Sequence, residues 1–303
     1  MKFSVTKNGI ECHIVWKNNP IPDEVFMKIY RWVKKSTDYS PLNQRKLMKM
    51  RAFVNELNNT YACDVTLDSA ISIRNIVFKD KIIKGYSRMN GKIAEIAAKY
   101  ASGVGILALS KEYDFPPLNL LRGIFLQMGM SASEMYAVFA NKENPKSALS
   151  GHDLAQFKLA LANDAESIIN IQKIAKIGAD NEDTVVKFFQ SLGIGLKTQE
   201  ELTREQIEKH GRAVITPDIL FTTPVYINGT EVKWIDYKDY VGTTIHFLYS
   251  SNSDQAKRYH NKWGPGALCY HHGFVSGMTI NSTLMLDARA LPINLLASDN
   301  KQK

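Results

Sequence analysis

Three charged residues in the stretch TPDILFTTPVYINGTEVKWIDYKDYVG, residues 216–242, have types and spacing suited to phosphoester chemistry. Side chains alternate along a strand, so in VKWIDYKDY the residues Val232, Trp234, Asp236 and Lys238 share one face. Asp236 and Lys238 then stand about 6 to 7 Å apart at roughly 3.3 Å per residue, close enough to address one ligand. Asp218 opens the preceding apolar run, directly after Pro217. Two carboxylates and a lysine on one sheet face suit a hard divalent cation beside a phosphate, because oxygen ligands hold Mg²⁺ and phosphate completes its shell. Such an ion polarises a phosphoryl oxygen and acidifies a bound water, while an ammonium orients that water or stabilises developing charge. Phosphodiester hydrolysis is the chemistry this group fits. By spacing alone, D…DxK also describes a solvated strand edge.

The hairpin register decides whether Asp218 joins the other two. A two-residue Asn228-Gly229 loop pairs Ile227 with Thr230, sets Ile219 opposite Lys238 and sends Asp218 to the other face. A three-residue loop, with Gly229 left-handed in a G1 bulge, pairs Tyr226 with Thr230 and sets Asp218 opposite Lys238. The bulged hairpin is therefore expected, with Pro224, which cannot donate to a ladder, marking a further bulge or an edge.

The elements around the hairpin read as an α/β order. ADNEDTVVKFFQSLGIG reads as a helix with acidic residues at its start, an apolar face of Val185, Phe188, Phe189 and Leu192, and a stop at Gly193 or Gly195. Strand-like runs follow at 218–227, 231–241, 267–274 and 282–288. Between the second and third, SNSDQAKRYHNKWGPG reads as a helix ended by Gly264-Pro265-Gly266. His271 and His272 fall in an apolar strand on opposite faces, which suits packing or surface roles better than one shared metal. Trp234 reads as core or rim.

Upstream the texture is helical and basic. KIYRWVKKS (28–36) and NQRKLMKMR (43–51) are rich in lysine and arginine, and Leu47 and Met50 form a narrow apolar stripe, as on a solvated helix face or a nucleic-acid patch. Residues 93–130 carry helical spacing on both sides of YDFPP, with Pro116 or Pro117 in a first turn, which fits an αα-hairpin or a helix-turn-helix. A further helix is expected over residues 153–177, and NKENPKSALSG is the best candidate for a domain boundary. Two domains are expected, 1–150 helical and 151–303 α/β.

Composition agrees with a globular chain: 45% of the 303 residues are hydrophobic and 22% charged. No run of about 18 apolar residues suggests a membrane span. The start of the chain lacks a secretory h-region, so an intracellular location is expected. Cys12, Cys63 and Cys269 form no CxxC pair, which disfavours a zinc ribbon or disulfide framework. Lysine and arginine number 38 against 30 acids, a net charge of +8 that draws a protein toward polyanions.

Taken together, Glu182 on a helix, Pro217-Asp218 opening a strand, Asp236-x-Lys238 on the next, and Gln255 with Tyr259 on the following helix resemble the PD-(D/E)XK nuclease superfamily. TPDILF, WIDYK, QAKRYHNKWGPGALCYHHGF and GILALSKEYDFPPLNLLRGIF resemble more specifically its TPD-motif family, which includes the codanin-interacting nuclease and archaeal relatives likened to Holliday-junction resolvases. The resemblance spans residues 103–292 and is loose before them. It implies a restriction-endonuclease-like domain, a mixed central sheet flanked by helices, behind an all-α region with helix-turn-helix-like modules. It also implies DNA cleavage dependent on Mg²⁺ or Mn²⁺, structure-specific or junction-resolving, in the nucleus or cytoplasm, with a homodimer and a codanin-like protein as expected partners and no membrane association. Carried over, Asp218, Asp236 and Glu182 are metal ligands, Lys238 is the catalytic lysine, and Gln255 is the polar helix residue facing the site, with Tyr259 one turn on. Lys111, Arg122, Tyr259 and Lys262 are the expected nucleic-acid contacts. Asp236 stands where relatives carry glutamate, and which of Glu200, Glu201 or Glu205 matches the family's further acid stays open. The rival readings are a catalytically silent scaffold for DNA or a protein partner, and an RNA-directed nuclease. Retention of both aspartates and the lysine argues against the scaffold.

Overall fold

The computed structural model describes residues 3–8, 10–140, 149–165, 182–280 and 282–291. In chain order its elements are β1 (Phe3–Asn8), β2 (Glu11–Trp16), α1 (Asp23–Lys34), α2 (Gln44–Tyr61), α3 (Leu67–Ala101), α4 (Ile106–Tyr113), α5 (Pro117–Gln127), α6 (Ala132–Ala140), α7 (Gly151–Ala162), α8 (residues 182–191), β3 (Leu196–Thr198), α9 (Gln199–His210), β4 (Ile219–Phe221), β5 (Val225–Ile227), β6 (Thr230–Glu231), β7 (Trp234–Lys238), α10 (His246–Trp263), β8 (Gly266–Tyr270) and β9 (Thr283–Asp287). They form two compact units, one of Met1–Lys28, Val54–Ile73 and Ile174–Lys303, the other of Ile29–Phe53 and Arg74–Lys173. No helix among the described residues is long and apolar enough to cross a membrane.

In the helical unit, α4 ends at Asp114 in the left-handed conformation and α5 begins with Pro117 in its first turn. The Ser110 hydroxyl donates to Phe115 O at 2.7 Å, closing the turn between them. Gln156 Oε1 takes the otherwise unpaired Ile106 N–H at the start of α4. Ile106, Leu109, Leu121, Ile124 and Phe125 bury one face of the pair in a core with Tyr100 and Phe157, which leaves Lys111 and Arg122 exposed. The helix expected over 153–177 is seen as α7, and the remainder of that range lies outside the described residues from 166 onward. In α2, Met50 is buried while Arg45, Lys46 and Lys49 line a 640 Å³ groove with Trp32 and Arg74.

The other unit carries two sheets. The larger runs β3-β4-β7-β8-β9, antiparallel through β7 and parallel from β7 to β9. Ile235, Tyr237, Ala267 and Cys269 on one face pack with Val185 and Phe189 of α8, and Trp234, Leu268 and Tyr270 on the other pack with Ala256 and Tyr259 of α10. A mixed sheet with a helix on each face is an α/β arrangement. The close approach of β8 to β7 requires Gly266, where an added Cβ would fall 2.1 Å from Trp234 Cε2. Trp234 is thus core, its Nε1 donating to Gly264 O at 2.9 Å.

The second sheet, β1-β2-β5-β6, corrects the all-α reading of residues 1–150. Cys12, His13 and Ile14 of β2 pair in parallel with Val225, Tyr226 and Ile227 of β5, so the first strands belong with the C-terminal half of the chain. Cys12, Ile14 and Trp16 are buried and alternate with outward Glu11, His13 and Val15, a period-2 signal that the basic composition of this region obscured. The three cysteines are free thiols.

Candidate active site

The hairpin does not bulge at its turn. Ile227 pairs with Thr230 and Tyr226 with Glu231 across a two-residue loop, with Asn228 at φ 50° and Gly229 at φ 79°. Asn228 is fixed there because its Oδ1 accepts from Trp16 N at 2.8 Å and its Nδ2 donates to Trp16 O at 2.9 Å. The expected three-residue loop is therefore wrong, and the offset it was to supply lies at Thr222-Thr223-Pro224. Val232 N still donates to Val225 O, whereas Phe221 N already donates to Lys233 O, so three residues of one strand are passed over in a single step of the other. An odd offset turns the strand over. Ile219 then pairs with Ile235 and Leu220 with Trp234, and the next rung sets Asp218 opposite Asp236 on the α10 face. Pro224, lacking an N–H to leave unpaired, sits where the ladder breaks.

Asp218 is 6% exposed and Asp236 2%. The Tyr237 N–H donates to Asp218 Oδ2 at 2.6 Å. Asp236 Oδ1 accepts from Gln255 Nε2 at 3.2 Å and lies 3.1 Å from the Tyr259 hydroxyl, which shares its one proton with Thr216 O, also at 3.1 Å. Its Oδ2 forms an ion pair with Lys238, whose ammonium also donates to Gln255 Oε1 at 2.7 Å. Gln255 Nε2 donates further to the Tyr259 hydroxyl at 2.8 Å. One amide thus holds an acid, an ammonium and a phenol at once.

The electrostatics follow from burial and crowding. Burial, then the charges of Asp236 and Glu182, push the Asp218 carboxyl up to about 8, against the Tyr237 N–H and Lys238. Asp236 is also raised by burial, opposed by Lys238 and Tyr259. Half-buried Glu182, at the described start of α8, is raised by burial and then by Asp236 and Asp183, with Lys238 opposing. Burial disfavours charge on Lys238, yet Asp236, Tyr240 and Asp218 outweigh it and hold the ammonium above its ordinary range. The three acids therefore raise one another and retain protons that a bound cation would replace. Such a set of oxygen donors fits a hard divalent cation.

Asp218, Asp236, Lys238, Gln255 and Tyr259 are thus brought together, with Glu182 near enough to act on both aspartates. Glu201 is instead spent in a capping box with Thr198, and Glu205 pairs with Lys197 at 2.6 Å. Glu200 is exposed on the same helix. Tyr259 is not a surface nucleic-acid contact, because it is buried and positions Asp236. Lys262 is exposed, 4.6 Å above the Trp263 ring. Sequence reasoning missed Tyr240 and Asn252: Tyr240 donates to Asn252 Oδ1 at 2.8 Å, and Asn252 Nδ2 donates to the Tyr270 hydroxyl at 3.2 Å. A polar Asn252 three residues before Gln255, on the stripe that also buries Ala256 and Tyr259, was the available signal.

The histidines also depart from expectation. β8 stops at Tyr270, so His271 and His272 form the turn after it, their rings 4.6 Å apart, instead of alternating across a strand. Both come close to Asp239. Burial pushes both imidazoles toward the neutral form, His272 to about 3 with His271 and Arg289 contributing.

Residues 151–289 match the family described as "Protein of unknown function TPD sequence-motif", whose motif is here Thr216-Pro217-Asp218. The chain is 36% identical over 104 residues to "Uncharacterized protein L539" of Acanthamoeba polyphaga mimivirus, covering 33% of this chain and 36% of that one. It is 26% identical over 182 residues to "CDAN1-interacting nuclease 1" of Xenopus laevis, 58% of this chain and 57% of that one. The mouse protein of that name is 24% identical over 198 residues, 60% and 67% of the two chains. The match spans from about a third to just over half the length of the first two relatives. No solved structure matches the chain. By its TPD sequence motif across residues 151–289 and its likeness to these relatives, the chain resembles the TPD-motif family of the CDAN1-interacting nuclease.

Proposed function

We propose that the protein is a divalent-metal-dependent DNA endonuclease of PD-(D/E)XK type, a hydrolase of phosphodiester bonds. The observation that carries this reading is the placement of buried Asp218 opposite buried Asp236, with Lys238 beside them on one sheet face. Asp218 and Asp236, with Glu182, would hold Mg²⁺ or Mn²⁺, which when bound supplies Lewis acidity and an acidified water. The chain's own groups do the rest. Gln255 and Tyr259 aim the Asp236 carboxylate and leave it little freedom to turn. Lys238, held charged, acts as a cation toward developing negative charge at phosphorus and not as a base. Half-buried Glu182, with its carboxyl raised, would orient or take a proton from water. The net charge of +8 favours a polyanionic substrate, and exposed Lys111, Arg122 and Lys262 are proposed phosphate contacts.

The test is cleavage of duplex, flap, splayed and four-way DNA in Mg²⁺ or Mn²⁺. Cutting is expected with the native chain and lost in Asp218→Asn and Lys238→Ala variants whose circular dichroism is unchanged. Binding without cutting of any substrate in either metal would end the enzyme reading. The name of these relatives favours a second, separable activity: docking of a codanin-like partner. A pull-down that survives Asp236→Ala would support it.

A further inference from the structure

We propose that Asp239, His271 and His272 form a second metal site, for zinc or a similar transition-metal ion, separate from the acidic site and built at the C-terminal ends of β7 and β8. β7 and β8 run parallel with Lys238 beside Tyr270 as their last pair, and His271 N donates to Lys238 O at 2.8 Å in one further rung. The residue that follows each strand therefore lands next to its counterpart, Asp239 beside His271, and His272 completes the group from the turn. One ligand atom from each of the three lies within 4.8 Å of the other two. On a tetrahedral zinc with bonds of about 2.1 Å, ligand atoms stand about 3.4 Å apart, so rotation about side-chain bonds closes the remaining gap.

The turn is held from several sides. Gly273, at φ 80°, donates its N–H to Tyr270 O and accepts from Gly242 N at 2.9 Å, and the Ser69 hydroxyl donates to His272 O at 2.8 Å. The Tyr237 hydroxyl meets Nδ1 of His271, the type of contact that fixes the ring of a metal-bound histidine, and leaves Nε2 to ligate. Nearby Arg289 is engaged by Asp287 through both carboxylate oxygens, at 2.9 and 2.7 Å, so its cation is paired beside the site. Two imidazoles and one carboxylate select for zinc, nickel or copper over magnesium, whereas the all-carboxylate set at Asp218 and Asp236 has the opposite preference. Three protein ligands leave a fourth position for water or a substrate oxygen, and the bound ion would tie together the ends of the two strands from which Lys238 and Tyr270 project.

The test uses the full-length protein stripped of metal, with Zn²⁺ titrated against a chromophoric chelator and Co²⁺ as the spectroscopic probe. We expect one equivalent of zinc and the strong visible absorption of four-coordinate Co²⁺, both retained in Asp218→Asn. His271→Gln and His272→Gln should each weaken zinc binding at least tenfold, and Asp239→Asn should weaken it less. If the histidine variants do not fold, X-ray absorption of the zinc-loaded native protein decides: nitrogen ligands support the site and an all-oxygen shell overturns it. Absence of saturable zinc binding, or binding lost in Asp218→Asn and kept in His272→Gln, would also overturn it.

Discussion

Replacing Asp218 with asparagine removes a charge but keeps an oxygen for the Tyr237 N–H, which makes it a probe of the crowding at this site. The Asp218 carboxyl is raised from 3.8 to about 8, chiefly by burial and then by Asp236 and Glu182. A carboxyl raised on folding contributes stability fully below pH 3.8 and loses it as pH climbs toward 8. Each unit is worth about 1.4 kcal/mol, so between pH 5 and pH 8 the metal-free native protein should lose about 4 kcal/mol that the asparagine variant does not lose. At this chain length that corresponds to a relative shift in Tm on the order of 10 °C. Thermal melts of both proteins across this range, subtracted from one another, cancel the titration of shared groups that do not act on Asp218, whereas Asp236 and Glu182, which do, remain in the difference as part of the same crowding. Mn²⁺ should then raise the Tm of the native protein more at pH 8 than at pH 5, because an ion replaces the proton that the crowded carboxyls retain. It should do little for the variant. A flat difference profile, or equal stabilisation of the two proteins by Mn²⁺, would refute the reasoning.

Tyr259→Phe removes the hydroxyl on Asp236 Oδ1 without changing shape, and cleavage should fall about 10- to 100-fold while the melting curve moves little. Asn228→Ala replaces a residue type that tolerates φ 50° by one that does so less readily and deletes both bonds to Trp16, so urea denaturation should show a loss of about 2 to 4 kcal/mol. Gly266→Ala sets a methyl group into the Trp234 indole and should cost about 3 kcal/mol or abolish soluble expression, whereas Gly91→Ala, with open space around it, should be tolerated in the same assay.

What could be read in the sequence was what local spacing controls. Helix α8 with its apolar face and its stop at Gly193, α10 ending at Gly264, and WIDYK as a strand with Asp236 and Lys238 on one face all follow from periods of 3.6 and 2. The gathering of Asp218 with Asp236 was also sought correctly, but by the wrong device. Asn228-Gly229 has the residue types of a two-residue turn, and the three-residue loop was preferred only because a straight ladder would have sent Asp218 away. A ladder is not obliged to be straight. The odd offset sits at Thr222–Pro224, where the strand leaves one sheet for the other. No local pattern announces that β5 will find β2 some two hundred residues earlier, and that pairing draws the strand away. The histidines failed for a smaller reason: ending β8 one residue before His271 turns two opposed rings into neighbours.

The central claim is that Asp218 and Asp236 jointly bind a divalent ion with Lys238 beside it. A crystal of the native chain soaked in Mn²⁺, with data collected at the manganese edge, tests this most directly. The account predicts an anomalous peak bonded to carboxylate oxygens of both aspartates. A peak confined to Asp239 and the two histidines, or none at all while Asp218 and Asp236 keep the contacts described above, would contradict it.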